Sequence, residues 1–260
     1  MSALEDRVAL VTGAGRGIGR AIALRSAAAG AAVALAGRSV HELEEVADLV
    51  TAAGGRALVV PMDVQDADSV EAGVARIASI LGEVDVLVAN SGVAGPTAPL
   101  WEVTPEEWDA THAVNVRGVF LSCRAVLPSM VRRGSGSVVV IGSMSGKRPM
   151  AQRTPYTSSK TALIGLVRSL AVEAGEHGIR VNLVSPGPVT GPRLDRVVEA
   201  ASEAGGRTPD QQLAEYAAAS PLRHLVDPDD VAAAVVFLAG DDARSTTGED
   251  LNVSAGITMH

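Results

Sequence analysis

Short β-branched runs alternate with Ala/Leu-rich stretches through the first half of the chain. The strand candidates are Arg7–Thr12, Ala32–Ala36, Ala57–Pro61 and Val84–Ala89, then Ser137–Ile141, Arg180–Val184 and Leu251–Val253. Most are nearly continuous apolar runs. That pattern marks strands covered on both faces, as in a parallel sheet. Helical windows lie between them: Ile18–Ala29, Val40–Ala53, Ala67–Leu81, Pro105–Met130, Pro155–Ala174 and Asp229–Ala239. Gly30, Gly54-Gly55 and Gly82 follow the first three, where a helix end favours glycine. Thr104-Pro105 supplies an N-cap and a proline at the first helical position. This repetition predicts an α/β fold: one open, doubly wound parallel sheet with helices on both faces. No linker or charge block divides residues 1–260, so a single domain is expected. The irregular stretch is Pro186 to Pro221, with a helix-like piece around Leu194–Ala204. An insertion of that kind reads as a lid or binding loop, placed at 191–220 with Gly191, Gly205 and Gly206 as hinges.

Composition narrows the partners. Aromatics are only 2% of the 260 residues, so the core must be built from Ala, Val, Leu and Ile. The net charge of −8 argues against nucleic acid or an anionic membrane surface as the main partner. Cys123 is the only cysteine, which excludes an intrachain disulfide and a cysteine-based zinc cluster; no metal site is expected. No apolar run reaches the length of a membrane span, and residues 1–11 are too short and charged for a signal peptide. A cytoplasmic protein is the expectation.

The first strand runs into Thr12-Gly13-Ala14-Gly15-Arg16-Gly17-Ile18-Gly19, and a helix follows. Glycines there allow a tight turn and let the backbone approach a pyrophosphate, while the helix N-terminus offers free N–H groups. Gly13, Arg16, Gly17, Ile18 and Gly19 are therefore candidates for holding a dinucleotide. An acid at the end of the second strand would bind the ribose of NAD. The strand instead ends Leu35-Ala36-Gly37-Arg38-Ser39. Arg38, with Arg16 nearby, can pair with a 2′-phosphate, so NADP(H) is the expected cofactor and NAD(H) the alternative.

Tyr156-Thr157-Ser158-Ser159-Lys160 puts a phenol and an ammonium four residues apart, on one helix face. The chain has two tyrosines and two lysines in all, so coincidence is a weak explanation. A free tyrosine has a pKa of about 10, and a neighbouring cation favours the phenolate, which suits acid–base chemistry near neutral pH. Ser143 follows the strand Ser137–Ile141, at the carboxyl end where ligands bind in open sheets. Asn90-Ser91-Gly92 ends the fourth strand. Asn115 sits in an apolar stretch of the window Pro105–Met130, where a buried amide needs partners; it is a further candidate for the site or a satisfied core amide.

With these residues in view, the chain resembles the classical short-chain dehydrogenase/reductases over nearly its whole length. The matching pieces are Thr12–Gly19, Asp63-Val64, Asn90-Ser91-Gly92, Asn115, Ser143, Tyr156-x-x-x-Lys160, Asn182 and Pro186-Gly187. Ser91 stands where the family usually has Ala. After Pro186-Gly187 comes Pro188-Val189-Thr190-Gly191, with the usual Thr shifted by one residue. The resemblance implies a Rossmann-like sheet of about seven strands and hydride transfer between a nicotinamide and a ketone or secondary alcohol. It implies that Tyr156 exchanges a proton with the substrate oxygen and Ser143 hydrogen-bonds that oxygen. Lys160 would hold the nicotinamide ribose, and Asn115 would take the water-relay position. Asp63 and Val64 would touch the adenine, Asn90 and Gly92 would lie along the cofactor, and Val189 and Thr190 near the carboxamide. A homotetramer is implied as well.

The substrate is less legible. The carrier-protein β-ketoacyl reductases of the family typically carry Ala-Arg-Glu after the catalytic helix turn, and this chain has Ala171-Val172-Glu173. Arg132 and Arg133 could still attract an acidic partner. Scarce aromatics disfavour a steroid pocket. Arg148, Arg153, Arg193 and Arg196 fall on segments expected to border the pocket, which suggests a small anionic carbonyl or alcohol substrate; salt bridging with Asp195, Glu199 or a neighbouring subunit is the competing account. Two function classes stand: an NAD(P)-dependent oxidoreductase, of which polyol, sugar or hydroxy-acid dehydrogenases are variants, and a dinucleotide-binding regulator without chemistry.

Overall fold

A computed structural model describes residues 3–205 and 208–259. Gly206, read above as a hinge, and the Arg193 side chain lie outside the described residues. Seven parallel strands form one sheet in the order β3-β2-β1-β4-β5-β6-β7. They are β1 (Val8–Thr12), β2 (Ala32–Gly37), β3 (Arg56–Pro61), β4 (Val86–Ala89), β5 (Gly136–Ile141), β6 (Ile179–Pro186) and β7 (Asp250–Val253). Each parallel crossover needs an intervening segment, and helices supply most of them: α1 (Gly17–Ala28), α2 (Val40–Ala52), α3 (Ala67–Ile80), α4 (Pro105–His112), α5 (Gly118–Arg133), α6 (Thr154–Gly175), α7 (Pro192–Gly205), α8 (Pro209–Ala219) and α9 (Pro228–Ala239).

Alternate strand residues feed two cores. Leu10, Leu87, Ala89, Val138 and Val140 pack under α3, α5 and α6. Ala9, Val11, Val86, Val88 and Val139 pack under α1, α2 and α9. Both faces of the central strands are thus dry, which is the physical reason for their unbroken apolar runs, while the edge strands β3 and β7 are partly exposed. Cys123 lies in the first core, where burial pushes its thiol up to about 12 and leaves it a small hydrophobe. Arg180 on β6 donates to the carbonyls of Leu238, Ala239 and Gly240 at 2.6, 3.2 and 3.0 Å. It satisfies the end of α9 with a cation; burial lowers its pKa from the ordinary value.

Three elements differ from the sequence reading. The window Pro105–Met130 is not one α-helix: a π-turn at Ala113–Arg117 separates α4 from α5 and carries Asn115. A widened turn re-aims one side chain, and such turns concentrate at functional sites. The lid segment holds two helices, not one piece. α8 begins with a capping box in which Thr208 Oγ1 accepts from Gln211 N while the Gln211 side chain accepts from Thr208 N. That Thr-Pro-Asp-Gln signal was readable in the sequence. β4 begins at Val86 rather than Val84, because Asp85 is spent on the strand entrance: its Oδ2 accepts from Val8 N at 2.9 Å.

Candidate active site

β1 and β4 are neighbours whose crossovers run in opposite directions along the sheet, and a crevice opens at that switch point beyond their carboxyl ends. A cleft of about 890 Å³ occupies it. Its floor is stitched by hydrogen bonds between the two strands' ends. Thr12 Oγ1 accepts from the backbone N–H groups of Asn90 and Ser91, both at 3.0 Å. Asn90 Nδ2 donates to the carbonyls of Thr12 at 2.9 Å and Gly13 at 3.2 Å. Asn90 therefore holds the glycine loop in place.

The loop is shaped to receive a ligand. At Gly19 a Cβ would stand 2.0 Å from Gly13 O and 2.5 Å from Asn90 Nδ2, so only glycine allows this approach. At Gly17, with φ +53°, a Cβ would meet nothing within 4 Å and would project into open space at the N-terminus of α1. A Cβ-free cradle at a helix N-terminus fits a pyrophosphate. Gly13, Arg16, Ile18 and Arg38 line the same end of the cleft. Arg38 is exposed, whereas Arg16 Nη1 pairs with Glu42 Oε1 at 3.3 Å on the first turn of α2. Glu42 was not singled out in the sequence; it lies 26 positions from Arg16 and nothing local links them. Asp63 and Val64 line the cleft beyond β3, with Asp63 Oδ1 accepting from Gln65 N at 3.0 Å. Gly92, Val189 and Thr190 line its middle; Val189 bridges to Val226 and Thr190 N donates to Val226 O at 3.0 Å.

Past the glycine loop, the end of β5 and helix α6 carry the polar groups. Ser143 follows β5 and caps a 3-10 turn, its Oγ accepting from Ser145 N at 3.1 Å. That bond uses an oxygen lone pair and leaves the hydroxyl proton for a ligand. Tyr156 and Lys160 lie one turn apart on α6 and both line the cleft. Lys160 is 4% exposed; its Nζ donates to Ile141 O at 2.9 Å and stands 5.9 Å from the Tyr156 ring centroid. Asn115 is the one candidate that stays behind the wall rather than on it. It is fully buried; its Oδ1 accepts from Val93 N at 2.8 Å, and its Nδ2 donates to Val93 O and Ser159 Oγ, both at 3.0 Å. The amide thus ties the π-turn to the loop after β4 and to α6. Asn182 is buried away from the cleft and bonds Thr246 O and Glu249 N, a structural duty. Of the four pocket arginines proposed from sequence, Arg153 and Arg196 line the cleft, and Arg148 is exposed outside it. No group of three or more His, Cys, Asp or Glu that could hold a metal occurs among the described residues.

The comparisons agree with this geometry. A family model described as enoyl-(acyl carrier protein) reductase matches residues 13–258. The chain belongs to the short-chain dehydrogenase/reductase family. It is 37% identical to the oxidoreductase UcpA of Salmonella typhimurium, over all of this chain and 97% of that one. It is 40% identical to a cis-4-hydroxycyclohexanecarboxylate dehydrogenase of Sinomonas cyclohexanicum, over 98% of each chain. A solved structure of NAD⁺-bound xylitol dehydrogenase superposes with a TM-score of 0.94 at 31% identity, covering 97% of this chain and 99% of that one. The protein is accordingly a nicotinamide-dependent oxidoreductase of small molecules. Among the described residues no helix is long and apolar enough to cross a membrane.

Proposed function

We propose that this short-chain dehydrogenase/reductase transfers hydride between NADP(H) and a ketone or secondary alcohol, with Tyr156 as the proton donor and acceptor. The observation that carries the reading is the convergence of Ser143, Tyr156 and Lys160 on the cleft that the glycine loop opens into. When bound, the nicotinamide supplies or takes the hydride. The chain's own residues do the rest. Gly13, Gly17, Ile18 and Gly19 hold the pyrophosphate at the start of α1. Asp63 and Val64 meet the adenine, Asn90 and Gly92 flank the ribose, and Val189 and Thr190 hold the carboxamide. Lys160 binds the nicotinamide ribose and favours ionisation of Tyr156. Ser143 donates its free proton to the substrate oxygen while Tyr156 gives a proton in reduction or takes one in oxidation. Asn115 takes the relay position behind Lys160, on the support of its bonds to Ser159 and Val93.

Preference for the 2′-phosphate rests on Arg38, exposed at the end of β2 where an acid would serve NAD(H). The Arg16–Glu42 pair favours the second reading, NAD(H), because Glu42 competes for Arg16 and repels a phosphate. Comparing kcat/KM for NADPH and NADH decides between them: NADPH is expected to be the better substrate and Arg38→Asp to reverse the order. Equal or better use of NADH by the unmodified protein sets the NADP(H) reading aside.

The chain acts as one domain whose segment 191–220 closes over substrate. Arg153 and Arg196 on the cleft walls support a substrate with an acidic group. Phe120 on α5, Val172 on α6, Phe237 on α9 and Leu251 on β7 are exposed apolar side chains and support assembly as a homotetramer. Light scattering at micromolar concentration tests that assembly, and a stable monomer contradicts it.

A further inference from the structure

Arg153 is a charged side chain only 8% exposed, at the entrance to α6 and on the wall of the cleft. Its Nη1 donates to Thr97 Oγ1 at 2.8 Å and its Nη2 to Ala94 O at 2.9 Å, both in the loop after β4. The adjoining backbone repeats the tie, with Ala98 N donating to Gln152 O at 3.1 Å. The guanidinium carbon sits 5.4 Å from the Tyr156 ring centroid, within the range of a cation–π contact. Tyr156 therefore has two cations near its ring: Lys160 at 5.9 Å, one turn along α6, and Arg153 at 5.4 Å, tied to the loop after β4.

We infer that Arg153 is a positioning residue for Tyr156, clamping the phenol ring to the loop after β4 and favouring its ionised form alongside Lys160. The inference rests on the reading of Tyr156 as the proton-transfer group. The arrangement is selective. The loop Asn90–Pro99 carries no ionisable side chain of its own, so the charge that reaches Tyr156 from that side is Arg153. Around the site, His112 on α4 faces Ser158 Oγ at 3.3 Å, and Lys147 is engaged with Asp250 at 2.9 Å. Arg196 and Tyr216 line the cleft from α7 and α8. A guanidinium differs from an ammonium here. Its planar fork reaches two acceptors in the loop while its carbon stays 5.4 Å from the ring centroid, an arrangement Lys cannot reproduce. Thr97 is the anchor that fixes the plane.

The chain has two tyrosines, Tyr156 and Tyr216, so in a Tyr216→Phe background the ultraviolet absorbance of phenolate reports Tyr156 alone. Titrating the full chain in that background, Arg153→Gln is expected to raise the ionisation midpoint of Tyr156 by about one unit. Arg153→Lys, which keeps the charge without the fork, raises it less. Thr97→Val, which keeps Arg153 and loosens it, also raises it less and covers the case in which Arg153→Gln does not fold. The pH profile of kcat moves in the same direction as the midpoint. A midpoint unchanged in Arg153→Gln or, should that variant not fold, in Thr97→Val overturns the inference, as does an Arg153→Lys value equal to that of Arg153→Gln. Turnover is scored separately. A shifted midpoint in a protein inactive on every carbonyl and alcohol refutes the oxidoreductase reading and leaves the effect of Arg153 standing.

Discussion

On one side of the cleft the polar groups are locked from behind. Thr12 and Asn90 join the glycine loop to β4, Asn115 joins the π-turn to Val93 and Ser159, and Lys160 is tied to Ile141 O. On the other side stand α7 and α8. Among the described side chains of α7 Val198 is fully buried, while no residue of α8 is buried. The bonds of Arg196, Ser202, Thr208 and Gln211 run to residues of their own helix or its cap. The first wall is preorganised, which suits groups that must meet a developing charge at fixed distance. The second is weakly fastened, which suits a surface that opens for substrate and selects it.

The comparison breaks first at Tyr156. Tyr156→Phe removes the proposed acid–base group and keeps the ring near Arg153 and Lys160. Turnover should fall by at least about 10²–10⁴-fold, with cofactor affinity close to that of the parent. Steady-state rates beside a cofactor fluorescence titration measure both. Near-normal turnover would falsify the mechanism.

Gly19→Ala tests whether the first wall is as rigid as its hydrogen bonds indicate. The added methyl meets Gly13 O and Asn90 Nδ2, a backbone group and a side chain that is itself bonded twice. Neither can yield cheaply, so overpacking of about 1–3 kcal/mol is expected, or roughly 5- to 150-fold in cofactor Kd. An unchanged Kd means that the loop relaxes freely and that the two walls do not differ.

The first wall was also the legible one. Its residues are adjacent in sequence: Thr12–Gly19 and Asn90–Gly92 at strand ends, which meet at the carboxyl edge of a parallel sheet, and Tyr156–Lys160 one turn apart on a helix. The alternating elements and the seven strands were readable for a similar reason, since strands dry on both faces leave unbroken apolar runs. What escaped were features set by distant contacts. The π-turn around Asn115 has no local signature in Ala113-Val114-Asn115-Val116-Arg117. The Arg16–Glu42 pair and the bonds from Arg153 to the loop after β4 join residues 26 and more than 50 positions apart. On the second wall the helix-like piece Leu194–Ala204 became α7, whereas α8 was passed over although its Thr208-Pro209-Asp210-Gln211 cap stood in the sequence.

Asn115→Ala probes the support behind the first wall. It deletes an amide making three bonds and strands Val93 N–H and Val93 O in a half-buried loop. The loss should be about 1–3 kcal/mol of stability, several degrees in Tm. Turnover should fall further than cofactor affinity, because Val93 leads directly into the Ala94–Thr97 stretch that holds Arg153. A Tm within a degree of the parent shows that the amide is not a structural tie.

The smallest effect is expected on the second wall, and that is its value. Arg196 is exposed, its Nε donates to Pro192 O one turn back at 3.1 Å, and the residue lines the cleft. Truncation to Ala removes no buried contact, so stability should change by no more than about 0.5 kcal/mol. Cofactor affinity should not move either, since the glycine loop lies on the opposite wall. What should change is the KM for an alcohol or ketone bearing a carboxylate, by a few-fold, the scale of an exposed charge pair of up to about 1 kcal/mol. The uncharged analogue of the same skeleton should keep its KM. Measuring the two KM values in parent and variant isolates charge recognition from packing. A ratio that stays constant assigns Arg196 to the α7 surface alone. A Tm drop of several degrees would be more damaging, because it would mean that α7 is fastened as firmly as the wall it faces.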